Sequence, residues 1–165
     1  MTALTIRPAT IADAWAIAGI YNHFIRSTVV TFEEAPVSTL AMEERMAAVR
    51  TTGLPWLVAE SRDGIIGYAY ASRFHPRSAY RFCAETTVYL ASGREGHGIG
   101  TRLYSDMLAT LKEQQIRTAV GLIALPNAPS VTLHEKLGFQ HTGTLTGVGF
   151  KLGRWVDVGY WQKLL

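Results

Sequence analysis

The sequence predicts a mixed α/β (α+β) domain in which a central sheet of about seven strands is flanked by about four helices. Three observations carry that prediction. Short apolar runs rich in β-branched and aromatic residues alternate with stretches of helical period. The dipeptide Asp63-Gly64 separates two strand-like runs, the strongest short-range sign of a tight hairpin. The later half then reads strand, turn, helix, strand.

Taken in order, Leu4 to Arg7 reads as a short strand. Thr10 with Asp13 three residues on makes a near-capping box, opening an apolar-periodic helix through Trp15, Ile17, Ile20 and Phe24. Ser38 to Arg50 forms a second helix. Trp56 to Glu60 and Ile65 to Ala71 are the strands on either side of Asp63-Gly64 and should pair antiparallel. Cys83 to Leu90 is a further strand, running into a glycine turn and a helix from about Gly98 to Glu113. Thr118 to Leu125 follows as a strand, then a helix from Pro129 to Leu137 that Gly138 terminates as its C-cap. Thr142 to Phe150 and Trp155 to Leu164 close the chain as a hairpin around Gly153.

Composition limits the function. The 165 residues fit one domain, with no repeat, low-complexity tract or linker. Hydrophobic residues at 48% and charged residues at 18% are those of an ordinary globular protein rather than a disordered one. The one cysteine, Cys83, forbids an internal disulfide, so a reducing, cytoplasmic location is expected. No stretch is long and apolar enough to span a bilayer, and the N-terminus lacks a signal-peptide pattern. The sixteen basic residues are scattered, with a net charge of +3. That suits a small anionic ligand better than nucleic acid, and neither nucleic acid nor membrane is expected as a partner.

The segment REGHGIGTRLY, Arg94 to Tyr104, places three glycines in five positions where a strand gives way to a helix. Bare backbone N–H groups at a helix N-terminus make a ready anion site, and phosphate is the usual anion. The dinucleotide fingerprint G-x-G-x-x-G fails, because Gly96 and Gly98 would need a third glycine at Thr101. The P-loop pattern fails too, since no Gly-Lys-Ser/Thr follows. What remains is Gly98-x-Gly100, which a tight turn alone would also explain.

Here the sequence resembles the GCN5-related N-acetyltransferase (GNAT) superfamily. Its pyrophosphate turn is Gln/Arg-x-x-Gly-x-Gly/Ala, and its second signature appears as NAPSVTLHEKLGF, Asn127 to Phe139. Within that superfamily, STVVTF, PWLVAE, AETTVYL, LPNAPSV and GFKLGRWVDVGYWQ are similar to the phosphinothricin and methionine sulfoximine acetyltransferases. The chain departs from the turn motif at its first position, which is Glu95. Glu95 is expected to face solvent, its charge offset by Arg94, His97 and Arg102.

The resemblance implies a GNAT fold, acetyl-CoA as co-substrate and a homodimer with sites near the interface. It also implies direct transfer in a ternary complex, without metal or acyl-enzyme. The main chain of Val88, Tyr89 and Leu90 would hold pantetheine, and Gly96, His97, Gly98, Ile99, Gly100 and Thr101 the pyrophosphate. Asn127 would contact the cofactor, although a plain N-cap is its ordinary role.

Glu85 shares one strand face with Cys83 and Thr87, so it could project into a cleft and accept the amine proton. A carboxylate satisfied by a neighbouring hydroxyl or arginine is the alternative. His134 stands where many superfamily members carry a tyrosine that protonates the departing thiolate, and imidazole can do the same near neutral pH. A packed helix histidine is the other reading. For the acceptor, Arg73, His75 and Arg77 crowd one loop, and guanidinium groups grip carboxylates and phosphinates with two prongs. A solvated basic loop would look the same. Phe32, Thr86 and Thr87 complete the expected acceptor contacts, with a core aromatic as the alternative for Phe32. Cys83 reads as a small buried hydrophobe, not a nucleophile.

Overall fold

The computed structural model describes residues 4–165. Seven strands form one sheet: β1 (Thr5–Pro8), β2 (Trp56–Ser61), β3 (Gly64–Arg73), β4 (Cys83–Leu90), β5 (Thr118–Leu125), β6 (Gln140–Lys151) and β7 (Arg154–Leu164). Four helices flank it: α1 (Ala14–Ser27), α2 (Thr39–Thr51), α3 (Ile99–Glu113) and α4 (Ala128–Lys136). The spatial order is β1-β2-β3-β4-β5-β7-β6. All neighbours are antiparallel except β4 and β5, which run parallel.

Strand alternation explains the two layers. Val58, Tyr68 and Tyr89 turn to one face and pack with Ile17, Ile25, Met42 and Met46 of α1 and α2. Ala59, Ala69, Ala84 and Ala119 turn to the other and meet Leu103, Tyr104, Met107 and Leu111 of α3. Small residues on that second face let α3 lie close to the sheet. The Asp63-Gly64 hairpin forms as expected, with Ser61 opposite Gly64. Two features go beyond the sequence reading. β6 starts at Gln140 rather than Thr142, and its register breaks between Leu145 and Gly149, so that Thr146 to Val148 bulge from the edge of the sheet.

The parallel pair is short. β4 and β5 are each eight residues long, yet they pair only from Cys83↔Thr118 to Glu85↔Val120. Beyond that rung they diverge. From Thr86 onward β4 keeps β3 on one side and has no strand on the other, which leaves backbone donors and acceptors facing a cleft.

At the start of α1 the expected near-capping box is present and extended. Thr10 N–H donates to Asp13 Oδ2 at 2.7 Å, and Arg7 clasps both Asp13 oxygens at 2.8 and 2.9 Å. Arg7 also donates to Glu60 at 2.7 Å, tying β1, β2 and α1 together. Chiefly through that Arg7 hydrogen bonding, the buried Asp13 carboxyl titrates below the ordinary aspartate range. Its stabilisation is therefore fully present above the unfolded-state pKa and is lost as pH falls through the lower folded one. Asp13→Asn should cost about 1–3 kcal/mol near neutrality, and less in acid. Urea unfolding at about pH 7 and about pH 3 checks this; an equal loss at both would show that the ion pair is not the cause.

Candidate active site

The head of the cleft is built around the last paired rung. Glu85 of that rung lies opposite Ser72 of β3 and Val120 of β5. Its side chain shares the α1/α2 face with Thr87 and Tyr89. Glu85 is half-buried, and this desolvation alone raises its carboxyl above the ordinary glutamate range. A carboxylate so placed has a heightened appetite for a proton. No neighbouring arginine or hydroxyl offsets the shift, as the satisfied-carboxylate reading would have required.

Thr86 points the other way. It is 4% exposed, and its hydroxyl lies 2.6 Å from Tyr104 Oη of α3 and 3.2 Å from the Val120 carbonyl. Tyr104 Oη in turn meets His134 Nε2 at 3.0 Å, and His134 Nδ1 lies 2.8 Å from the Ser130 carbonyl one turn back in α4. His134 is 4% exposed. Burial lowers its pKa, a tendency that the Ser130 carbonyl partly opposes. The ring is therefore both buried and engaged at each nitrogen. It is set against Gly121, where a Cβ would come within 2.5 Å of Nε2, so glycine is what gives the ring its room.

The glycine turn enters α3 with Gly96 and Gly98 at φ of 79° and 75°, the left-handed region. The first helical bond beyond it runs from Arg102 N–H to the Gly98 carbonyl at 3.0 Å. The N–H groups of Ile99, Gly100 and Thr101 consequently precede the helical ladder and have no partner within it. Glu95 is exposed, as expected. Two of the residues expected to offset its charge are engaged elsewhere: Arg94 pairs with Asp63 at 2.9 Å, and Arg102 donates to the Leu4 carbonyl at 3.2 Å. Asn127 caps α4, its Oδ1 accepting from Ser130 N–H at 3.2 Å.

The acceptor-side residues gather less tightly. Ser72, not Arg73, stands opposite Glu85, so alternation sends Arg73 to the far face of β3. Arg73 and Arg77 are exposed, while His75 is half-buried against Tyr80 and accepts from Arg77 N–H at 3.3 Å. Phe32, on the loop between α1 and α2, packs its ring on Gly149 of β6, where any Cβ would fall 2.3 Å from the ring. Val88 and Leu90 pack toward α3, whereas the Tyr89 side chain joins Tyr21, Phe24 and Tyr68.

Sequence reasoning missed two residues. Tyr104 reads as one more member of the apolar stripe of α3, although a buried tyrosine needs a partner for its hydroxyl. Lys151 reads as a surface lysine of the last hairpin. It is 3% exposed and donates to the Thr31 carbonyl at 2.7 Å, and burial lowers its pKa.

A model of the acetyltransferase (GNAT) domain matches residues 6–159. The chain belongs to the GNAT acetyltransferases. Phosphinothricin N-acetyltransferase of Streptomyces viridochromogenes is 40% identical over 158 residues, covering 96% of this chain and 86% of the relative. The L-methionine sulfoximine/L-methionine sulfone acetyltransferase of Pseudomonas paraeruginosa is 33% identical over 159 residues, covering 96% and 92%. Among solved structures, a GNAT superfamily phosphinothricin acetyltransferase from Sinorhizobium meliloti in complex with AcCoA superposes with a TM-score of 0.95 at 37% identity. It covers 98% of this chain and 88% of that one.

This GNAT chain is an N-acetyltransferase that uses acetyl-CoA. Its residues fit that co-substrate: the open edge of β4 offers strand-like partners to an amide-bearing arm, and the first turn of α3 offers free N–H groups to a pyrophosphate. Gly98→Ala would force a Cβ into the left-handed region, costing about 1–2 kcal/mol. Because the strain falls on the turn itself, acetyl-CoA affinity should drop severalfold while the acceptor KM stays nearly constant. Calorimetric titration with acetyl-CoA reads this directly, and unchanged affinity would separate the turn from the ligand.

Proposed function

We propose that this acetyltransferase acetylates the α-amino group of a small amino acid or analogue, with methionine sulfoximine, methionine sulfone and phosphinothricin as test acceptors. The observation that carries the reading is the half-buried Glu85 carboxylate, raised by desolvation at the point where β4 and β5 part. Acetyl-CoA supplies the acetyl thioester. Glu85 takes the proton of the incoming ammonium, directly or through water, so that a neutral amine meets the carbonyl. Transfer is direct, in a ternary complex. His75, Arg77, Phe32 and Thr87 form the acceptor side, with Arg73 at its margin. Val88 to Leu90, Gly96 to Thr101 and Asn127 form the co-substrate side.

Release of free CoA thiol over a panel of amines tests this. Saturable release is expected with methionine sulfoximine and phosphinothricin, and little with a short peptide or spermidine. The reverse pattern would keep the co-substrate and sink the acceptor. Because Glu85 must be ionised to act, turnover should rise with pH through its elevated pKa. Glu85→Gln should lose about 100-fold or more in kcat with acetyl-CoA affinity retained.

The chain acts as a homodimer in a reducing cytoplasm in this reading. Leu145, Val148, Phe150, Leu152 and Trp155 of the last hairpin are all exposed, Trp155 at 70%, and Phe150 and Trp155 face each other across the β6–β7 register. So much apolar surface on the hairpin at the edge of the sheet suits a second copy. Light scattering should give twice the chain mass, reduced to one by Trp155→Asp with Phe150→Asp. Mass unaffected by that pair would place any interface elsewhere. No helix of the described residues is long and apolar enough to cross a membrane.

A further inference from the structure

One of the two sequence readings has His134 protonating the departing thiolate itself. The structure places two hydroxyls in front of it. From the end of the β4–β5 pairing toward α4 the atoms run Thr86 Oγ1, Tyr104 Oη, His134 Nε2, then across the ring from Nδ1 to the Ser130 carbonyl. Thr86 is the first residue of β4 beyond the last β5 rung, and its hydroxyl also reaches the carbonyl of Val120, the β5 residue of that rung. The chain therefore ends where the two strands separate. Glu85 stands beside it on the opposite face of β4.

Hydrogen-bond logic gives the chain two settings. The Ser130 carbonyl can only accept, so Nδ1 carries a proton, and the Ser130 hydroxyl at 3.4 Å is the longer contact. In the neutral ring Nε2 is then an acceptor. Tyr104 must donate to it and Thr86 must donate to Tyr104, which withdraws the single Thr86 proton from the Val120 carbonyl. In the imidazolium Nε2 donates instead, Tyr104 turns to donate to Thr86, and the Thr86 proton points to the Val120 carbonyl at the rung where the strands part. One proton on His134 thus reverses both bonds between the ring and Thr86, while Nδ1–H stays on the Ser130 carbonyl.

We propose that Thr86, Tyr104 and His134 form a proton-conducting chain in which Thr86 hands the proton to the leaving sulfur and His134 supplies it from behind. This rests on the acetyl-transfer reading above. As the carbon–sulfur bond breaks, its electron pair stays on sulfur. Thr86 gives sulfur its hydroxyl proton and takes one from Tyr104, and Tyr104 takes the Nε2 proton of the imidazolium. One proton has moved from His134 to sulfur, the ring ends neutral with Nδ1–H still on Ser130, and both hydroxyls are intact. The ring regains its proton from water between turnovers. Glu85 meanwhile takes the ammonium proton, and the second proton that nitrogen sheds as the amide forms passes to water, so base and acid act on opposite faces of one strand. His134 and Tyr104 are positioning residues in this scheme, and Thr86 is the catalytic donor.

The environment suits such a role. The groups around the His134 ring are Tyr104 of α3, Gly121 of β5, Phe139 after α4 and its own Ser130, none of them a charged side chain. The carboxylate next in sequence, Glu135, accepts instead from Trp161 Nε1 at 3.3 Å. Burial makes the imidazolium a readier donor than an exposed one.

Nitrogen NMR of the histidine rings, on protein free of acetyl-CoA, tests the chain without turnover. The neutral ring of His134 should be the Nδ1–H tautomer with an acceptor Nε2, and Tyr104→Phe should shift the Nε2 resonance toward that of an unbonded nitrogen while Nδ1–H persists. An Nε2–H tautomer would overturn the proposal. In kinetics, Thr86→Val and Tyr104→Phe should each lower kcat about 100-fold with the acetyl-CoA KM little changed, and Thr86→Ser should restore most of it. The solvent deuterium proton inventory of the wild type should be curved, and that of Thr86→Val linear. If Thr86→Val keeps its kcat within about twofold, Thr86 is not the donor. Thermal melts identify any variant that has lost its fold, and with three variants no single misfolding decides the matter. A wild type that acetylates no amine would remove the acetyl-transfer reading and delivery to sulfur together, while the ring spectrum still reports the direction of the chain.

Discussion

Everything at the site depends on two parallel strands that stop pairing. β4 and β5 share three rungs and then part, although each continues for five more residues. A sheet interior normally leaves no main-chain group free, because an unmet donor or acceptor is costly away from water. Here a row of them is exposed in mid-sheet. The gap holds open because the helices of one face, α3 and α4, bridge it: Tyr104 reaches across to Thr86 on one strand and His134 leans on Gly121 of the other. The polar side chains at the head of the cleft serve as the cap on a broken ladder, whatever else they do.

The same break sorts the chemistry by face. Alternation along β4 puts Glu85 toward α1 and α2, and Thr86 toward α3 and α4. Adjacent residues of one strand therefore lie in different surroundings, one carboxylate partly desolvated and open, one hydroxyl buried and bonded. No loop has to move to bring them near each other.

Much of this was legible in the sequence. The order of strands and helices followed from apolar period and turn residues, because those signals are local. Asp63-Gly64, Gly138 and the glycine turn each ended an element where expected. Glu85 was legible as one charge on an otherwise apolar strand. Sheet order was not, since β7 inserting between β5 and β6 is set by long-range pairing that no local pattern encodes. Nor was the company His134 keeps. Its ring looks like any helix histidine until the fold brings up Tyr104, a residue that hides as an apolar position because most of its side chain is one. Lys151 escaped for the converse reason, since a buried ammonium carries the same letter as a solvated one. Arg73 shows the limit of composition: a loop rich in guanidinium groups does not say which of them a strand turns away.

Phe32 rests on Gly149, occupying the space in which every other residue would have a side chain. The placing of that ring is thus set by an atom that is missing. With Phe32 on the acceptor side, as proposed, descendants of this sequence that drift toward larger or smaller acceptors are confined accordingly: position 32 is free to vary in size, whereas position 149 must stay empty or surrender the ring altogether. In the proposed reading, acceptor size is tuned at the loop residue, and the sheet beneath it holds the veto.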